Sequence, residues 1–351
     1  MNKLRMRQSL RTLASGAALA TACAAGGAAA QQVVLKVHHF LPAPSNAQVN
    51  IIAPWCDKIN KESNDRLKCQ IYPSMQLGGT PAQLFDQAKD GVADIVWTLP
   101  GYSAGRFTKS EVFELPFFTR SAKGASQALW EFVQKNAMDE FKGVKPIFMH
   151  VQDGAVFHFL NKTPKSMEDL KGLKIRAATR INSRMQQALG ATPVQMPLPA
   201  IPESLTKGVI DGAMVPWEGV PAVKLQEIAK YSLDIPNGAP KISNSIFLFG
   251  MNQAKYDSLP ADLKKVIDAN SGGAVSAQVG EKGFDAVIEP NRKAARDKGD
   301  NIVFLTNTEI QRWQKASAGV EAEWIKDVTA KGGDGRKLLK DARDLQAKYD
   351  K

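Results

Sequence analysis

Apolar and polar positions change period in a regular order along this chain. Residues 33–37 are apolar and β-branched, and the prolines Pro42 and Pro44 in the loop that follows predict a strand and its end. Helical spacing takes over across 46–61, and alternation across 67–72 predicts a second strand that breaks at Pro73 and Gly78-Gly79. A short helix over 81–89 runs into Gly91, a residue suited to a left-handed helix end, and then into the apolar strand 94–98. Strand and helix alternate here as in a β-α-β unit.

The same succession begins again near Asp153. Strands are predicted over 155–160, 173–176, 192–196 and 210–215, with helices over 181–189 and 199–207 closed by Gly190 and Gly208. The step Gly-Val-x-Asp occurs in both halves, as Gly91-Val92-Ala93-Asp94 and Gly208-Val209-Ile210-Asp211, which places Met214 where the first copy has Trp97. A strand over 246–251 follows, then helix over 260–300 with a flexible point at Gly272-Gly273, a strand over 301–305, and helix from 308 to an end at 351 expected to fray. This order predicts an α/β protein of two similar lobes with a cleft between them, each an open, mostly parallel sheet covered by helices. Ligands of such sheets sit beyond the carboxyl ends of the strands. That rule singles out His39 and Phe40, Trp97, Arg176, Met214, and Trp217 with Glu218.

Composition narrows the setting. Residues 1–30 have the plan of an export signal: Lys3, Arg5, Arg7 and Arg11, a weakly apolar stretch, then Ala28-Ala29-Ala30 as a cleavage site. The apolar stretch is well short of the roughly 20 residues of a membrane span. A soluble mature protein outside the cytoplasm is expected. The whole chain carries 46 Lys and Arg against 35 Asp and Glu, and without the leader's four bases the excess is mild. Bases and acids alternate, so no nucleic-acid surface is predicted. Cys56 and Cys69 either form a disulfide, favoured by an oxidising compartment, or stay as buried thiols.

Catalytic patterns are sparse. Gly101-Tyr102-Ser103-Ala104-Gly105 fits the nucleophile elbow of serine hydrolases, but a helix does not follow, and the downstream histidines, His150 and His158, fall in or beside predicted strands. A secreted hydrolase using Ser103 is therefore the competing reading. No metal-ligand spacing and no nucleotide-binding glycine pattern occurs, so neither metal nor cofactor is expected. Arg176 is different, because it ends an apolar strand just before a helix start, where a guanidinium and free backbone N–H groups together suit an anion. Arg180 stands four residues on as a second donor.

Leu170-Lys171-Gly172-Leu173-Lys174-Ile175-Arg176, Ala188 to Val194, Gly208-Val209-Ile210-Asp211-Gly212 and Phe113-Glu114-Leu115-Pro116-Phe117 together resemble the DctP-like periplasmic solute-binding proteins of TRAP transporters. The resemblance spans 33–330. It implies two α/β lobes joined by hinge strands and a long lobe-spanning helix, an organic acid held by its carboxylate on Arg176, and a membrane permease as partner. The lobes it implies are 31–153 with 242–281 and 154–241 with 282–335, followed by a helical tail over 336–351. Two departures stand out: Val215 replaces an asparagine that helps hold the carboxylate, and the run Val156-Phe157-His158-Phe159 replaces a second arginine. Both remove polar contacts and leave aromatic ones. With Trp97 and Trp217, this points to an aromatic or largely apolar monocarboxylate over a C4-dicarboxylate or sugar acid.

Overall fold

The computed structural model describes residues 32–350; the export signal expected over 1–30 lies outside the described residues. Eleven strands form two sheets. In chain order they are β1 (Val33–His39), β2 (Leu67–Tyr72), β3 (Ile95–Thr98), β4 (Val144–Val151), β5 (Val156–Phe159), β6 (Lys174–Ala177), β7 (Thr192–Gln195), β8 (Gly212–Val215), β9 (Tyr231–Asp234), β10 (Ile246–Asn252) and β11 (Asn301–Phe304). The first sheet has the order β2-β1-β3-β10-β4, and the second, read from its other edge, β7-β6-β8-β5-β9 with β11 added. In each sheet one strand, β10 or β5, runs against all the others. Each of these is the first strand entered after the chain crosses from the other sheet.

The repeated Gly-Val-x-Asp step does the same work twice. Gly91 and Gly208 end their helices at φ 77° and 68°, a left-handed conformation that glycine adopts without strain. Asp94 Oδ2 then accepts the Lys36 N–H at 2.8 Å, and the Asp94 N–H reaches the Lys36 carbonyl. Asp211 repeats both bonds with Lys174, again at 2.8 Å to the carboxylate. The step thus sets β3 beside β1 and β8 beside β6.

The lobes meet at two crossings that pair with each other: Gln152 N–H bonds to the Ser245 carbonyl and Ala155 N–H to that of Ser243. A third link is helical. The stretch expected as one helix over 260–300 is broken: Gly272 takes φ 106°, and the helical path changes pitch through Gly280–Phe284 and Asp285–Val287 before Ile288–Asp297. Gly280 has no room for a side chain, since a Cβ there would meet the Ala122 carbonyl oxygen at 2.3 Å. Nevertheless the path spans both lobes. Ser276 Oγ accepts the Met149 N–H in the first sheet, while Asn291 donates to the Trp217 carbonyl and Arg292 pairs with Asp234 in the second.

The carboxyl-terminal helix, Gly335–Tyr349, does not fray. It buries Leu338, Leu339, Ala342 and Leu345, and beyond it Asp350 accepts from Ser121 Oγ and from the Arg120 N–H. Its dock is the helix Ala122–Asn136, which, like β4 and β9, lies where the apolar pattern makes no assignment. Cys56 and Cys69 are joined, with 5.7 Å between Cα atoms, tying the helix Ala53–Glu62 to β2. Closing a loop of this size stabilises by about 3 kcal/mol in the chain-entropy view. No helix among the described residues is long and apolar enough to cross a membrane.

Candidate functional site

Arg176 ends up at the interface of the lobes, 3% exposed. Its position in β6 carries the guanidinium past the strand ends, where Nε donates to the Met196 carbonyl at 2.9 Å and Nη1 to the Met214 carbonyl at 2.8 Å. These bonds fix the plane of the fork and leave the rest of it facing Tyr102, whose hydroxyl stands beside the guanidinium and accepts the Leu198 N–H at 3.1 Å. Among the described residues no carboxylate pairs with Arg176. Burial lowers its proton affinity, and Tyr102 partly restores it; burial also raises the pKa of the Tyr102 hydroxyl, against the pull of Arg176. A buried, oriented cation without a counter-charge is expensive to maintain, and an incoming anion relieves that cost.

An aromatic column leads to this point from the first lobe. His150 and Phe247 stack with planes 1° apart, Phe247 stacks on Trp97 at 4.6 Å, Trp97 on Phe40 at 5.2 Å, and Tyr102 meets Phe40 edge-on at 5.5 Å. The column is held by one internal bond, Trp97 Nε1 donating to His150 Nε2 at 2.9 Å. His150 can only accept there as a neutral ring, and burial pushes its pKa down to about 3. His39 lies next to the column but serves the loop: Leu41 N–H donates to Nδ1, and Nε2 reaches Gln48. Burial lowers its pKa to about 4, so it is neutral as well.

Several expected site residues are placed elsewhere. Arg180 is not a second donor to a ligand in this arrangement, because its guanidinium is taken by Glu111, through Nε at 2.8 Å to both carboxylate oxygens, and by Asp327. The helix start that looked open to an anion is likewise filled. Thr179 caps it by accepting the Asn182 N–H, and Glu111 and Glu114 of the neighbouring lobe stand against this end. Acids are favoured there by the helix dipole, and the Glu111 carboxylate, held by Arg180, already supplies the negative charge. Met214 contributes its carbonyl; its side chain turns to the far face, with Sδ near Gln186 and Phe157 in the second core. Phe157 and Phe159 belong to that core too and give the cleft no wall. Trp217 is spent on structure, donating to Asp234 Oδ2 at 2.7 Å and standing edge-on to His158.

Glu218 does reach the junction, buried beside Asn46 and Asp153. Pattern analysis missed Tyr102 as a site residue, since Gly101 to Gly105 drew attention to Ser103 instead. Its place a few residues beyond β3 was the available signal. Gly101 is needed for closeness, as a Cβ there would lie 2.4 Å from Thr179 Cγ2 of the other lobe. Ser103 Oγ donates to the Ala82 carbonyl, and both candidate histidines are occupied, His150 by Trp97 and His158 by Ser232 and the Val215 carbonyl. No nucleophile is assembled.

Known proteins share this two-lobed fold. The family DctP, bacterial extracellular solute-binding protein, family 7, matches residues 38–327. A TRAP solute-binding protein of Rhodoferax ferrireducens T118, crystallised with copurified benzoate, is 46% identical, with 91% of this chain and 98% of that one covered and a TM-score of 0.89. A marine-metagenome TRAP protein specific for aromatic acid ligands, in complex with 3-hydroxybenzoate, is 44% identical over 92% of this chain and 100% of its own, also at 0.89. The outer membrane transporter protein TsaT of Comamonas testosteroni is 27% identical, over 88% of this chain and 90% of that protein. The chain therefore belongs to the DctP family of extracellular solute-binding proteins, the periplasmic binding components of TRAP transporters, and it holds a solute without transforming it.

Proposed function

We propose that the solute is an aromatic or largely apolar monocarboxylate, gripped at its carboxylate by Arg176. The observation that carries this reading is the buried guanidinium, anchored by two backbone carbonyls and lacking an acid partner among the described residues. Tyr102 stands ready as a second donor, and Phe40, backed by Trp97 at the end of the stacked column, brings a flat apolar ring close by. Ring stacking is the natural use of such surface. The aromatic acids bound by the Rhodoferax and metagenomic relatives support the same ligand class. Lobe closure shuts water away from the ion pair and strengthens it, and the closed form is then delivered to the membrane permease.

Calorimetry with benzoate and 3-hydroxybenzoate tests the proposal. Arg176→Ala should weaken binding by several kcal/mol, since hydrogen bonds to charged groups contribute about 1.5–3 kcal/mol each. Undiminished affinity in that variant would remove the carboxylate grip. Stabilisation of the wild type only by C4-dicarboxylates would remove the aromatic ligand and leave the family membership standing.

A further inference from the structure

Just beyond the strand that anchors the guanidinium, two acids meet for which the carboxylate grip has no use. Asp153 opens the first crossing and Glu218 follows β8, and the Glu218 N–H faces Asp153 Oδ2 at 3.4 Å. They are 3% and 5% exposed, and each keeps a carboxyl oxygen without a partner, Asp153 Oδ1 and Glu218 Oε1. A native interior leaves few polar atoms in that state, and such atoms at a ligand cleft are explained when a ligand group completes them. Glu218 follows the strand whose Met214 carbonyl anchors Arg176, Asp153 precedes the strand paired with it, and Tyr102 lies within electrostatic reach of both Arg176 and Glu218.

Building on the carboxylate grip, we propose that Glu218, backed by Asp153, reads the end of the ligand remote from its carboxylate: it accepts a hydrogen bond from a ring hydroxyl and turns away a second anionic group. A hydroxyl can serve the unpartnered oxygen that water or an apolar ring edge leaves unsatisfied. A second carboxylate there meets two sealed acids and no guanidinium. Burial and the neighbouring Glu218 push Asp153 well above the ordinary carboxylate range, and burial raises Glu218 to about 7, in keeping with a pair that cannot hold two full charges in one dry place. Selection by unpaired buried groups discriminates more sharply than apolar contact does.

Calorimetry at pH 7.5 on the mature protein with benzoate, 3- and 4-hydroxybenzoate and isophthalate separates the outcomes. The wild type should bind the better hydroxybenzoate at least about tenfold more tightly than benzoate, with isophthalate undetected. Glu218→Leu should bring hydroxybenzoate and benzoate to similar affinity, erasing the hydroxyl preference. The near-isosteric Glu218→Gln with Asp153→Asn should admit isophthalate, and this arm decides the matter if the leucine variant does not fold. A hydroxyl preference that survives Glu218→Leu, or wild-type binding of isophthalate as tight as benzoate, overturns the inference and spares the grip. Failure of every aromatic acid to bind, or binding that survives Arg176→Ala, overturns the grip and this inference with it.

Discussion

Where the second sheet carries Arg176, the first carries His38, each two residues beyond the lysine whose backbone is clamped by the repeated aspartate. His38 is internally satisfied: Nδ1 meets Gln87 at 2.8 Å, Nε2 accepts the Leu77 N–H, and burial lowers its pKa, so it carries no charge into the cleft. Arg176 spends part of its fork on carbonyls and keeps the rest. Three residues beyond the aspartates, Trp97 adds its ring to the aromatic column while Met214 lends only a carbonyl to the site. One backbone plan therefore presents an apolar wall from one side and a charge from the other. The difference teaches that the duplicated turn and register set where side chains emerge, whereas burial and local partners set what they do.

Copying the first lobe into the second should break this division most severely. Arg176→His should cost about 2–5 kcal/mol of ligand binding at neutral pH, the range for removing one member of a buried charge pair, as read by calorimetry with 3-hydroxybenzoate. Next come the two clamps. Asp94→Ala should destabilise the fold by about 1.5–3 kcal/mol, the worth of a charge-assisted hydrogen bond, measured by urea denaturation. Asp211→Ala should cost less, because Asp94 is buried and Asp211 is exposed to water. Equal losses would mean that the clamps do not differ as their burial indicates. Tyr102→Phe should weaken binding by about 1 kcal/mol, read by calorimetry, with a small loss of folding stability because the Leu198 N–H loses its acceptor.

The smallest expected effect lies at the seam between lobes and appears as a pH slope. Burial, with repulsion from Glu111, raises Glu114 to about 8, and burial raises Glu140 to about 7. Above pH 6.5 the unfolded chain has already released these protons and the folded protein still holds them. Raising the pH therefore removes protons from the folded form alone, and stability falls as pH climbs through 7 to 8. The buried His39, His150 and His158 stay neutral in the fold while their unfolded counterparts still bind part of a proton near pH 6.5, which opposes the decline at the low end of this window and fades by about pH 7.5. Thermal melts between pH 6.5 and 8.5 should show the decline, with a shallower slope in Glu114→Gln; an unchanged slope would assign the titration to other groups.

Much of this was legible in the residues, for reasons that act over a few positions. The Gly-Val-x-Asp step announces a left-handed turn and a carboxylate cap for the adjoining strand, and both are local, so the doublet implied two like lobes. Arg176 could be picked out because a charge at the end of an apolar strand has few places to go. Motifs whose meaning depends on distant partners misled. Arg180 looks like a ligand donor until Glu111, far away in the chain, is seen to occupy it. Phe157 and Phe159 look like cleft walls until sheet pairing turns them to the far core. The Lys- and Asp-rich carboxyl-terminal end looks prone to fraying until a helix two hundred residues earlier supplies the surface that buries Leu338 to Leu345.

The alternation of strands and helices, the glycine-closed helix ends, the paired lobes and the choice of Arg176 as the candidate for an anion follow from period, turn chemistry, charge placement and family resemblance along the chain. Which donors of that arginine stay free, that Tyr102 stands beside it, and that Arg180 is taken by Glu111 and Asp327 were decided by packing in the tertiary structure. Hydrogen-bond partners and burial are properties of a position in space, and residues that share a position in space need share nothing in sequence.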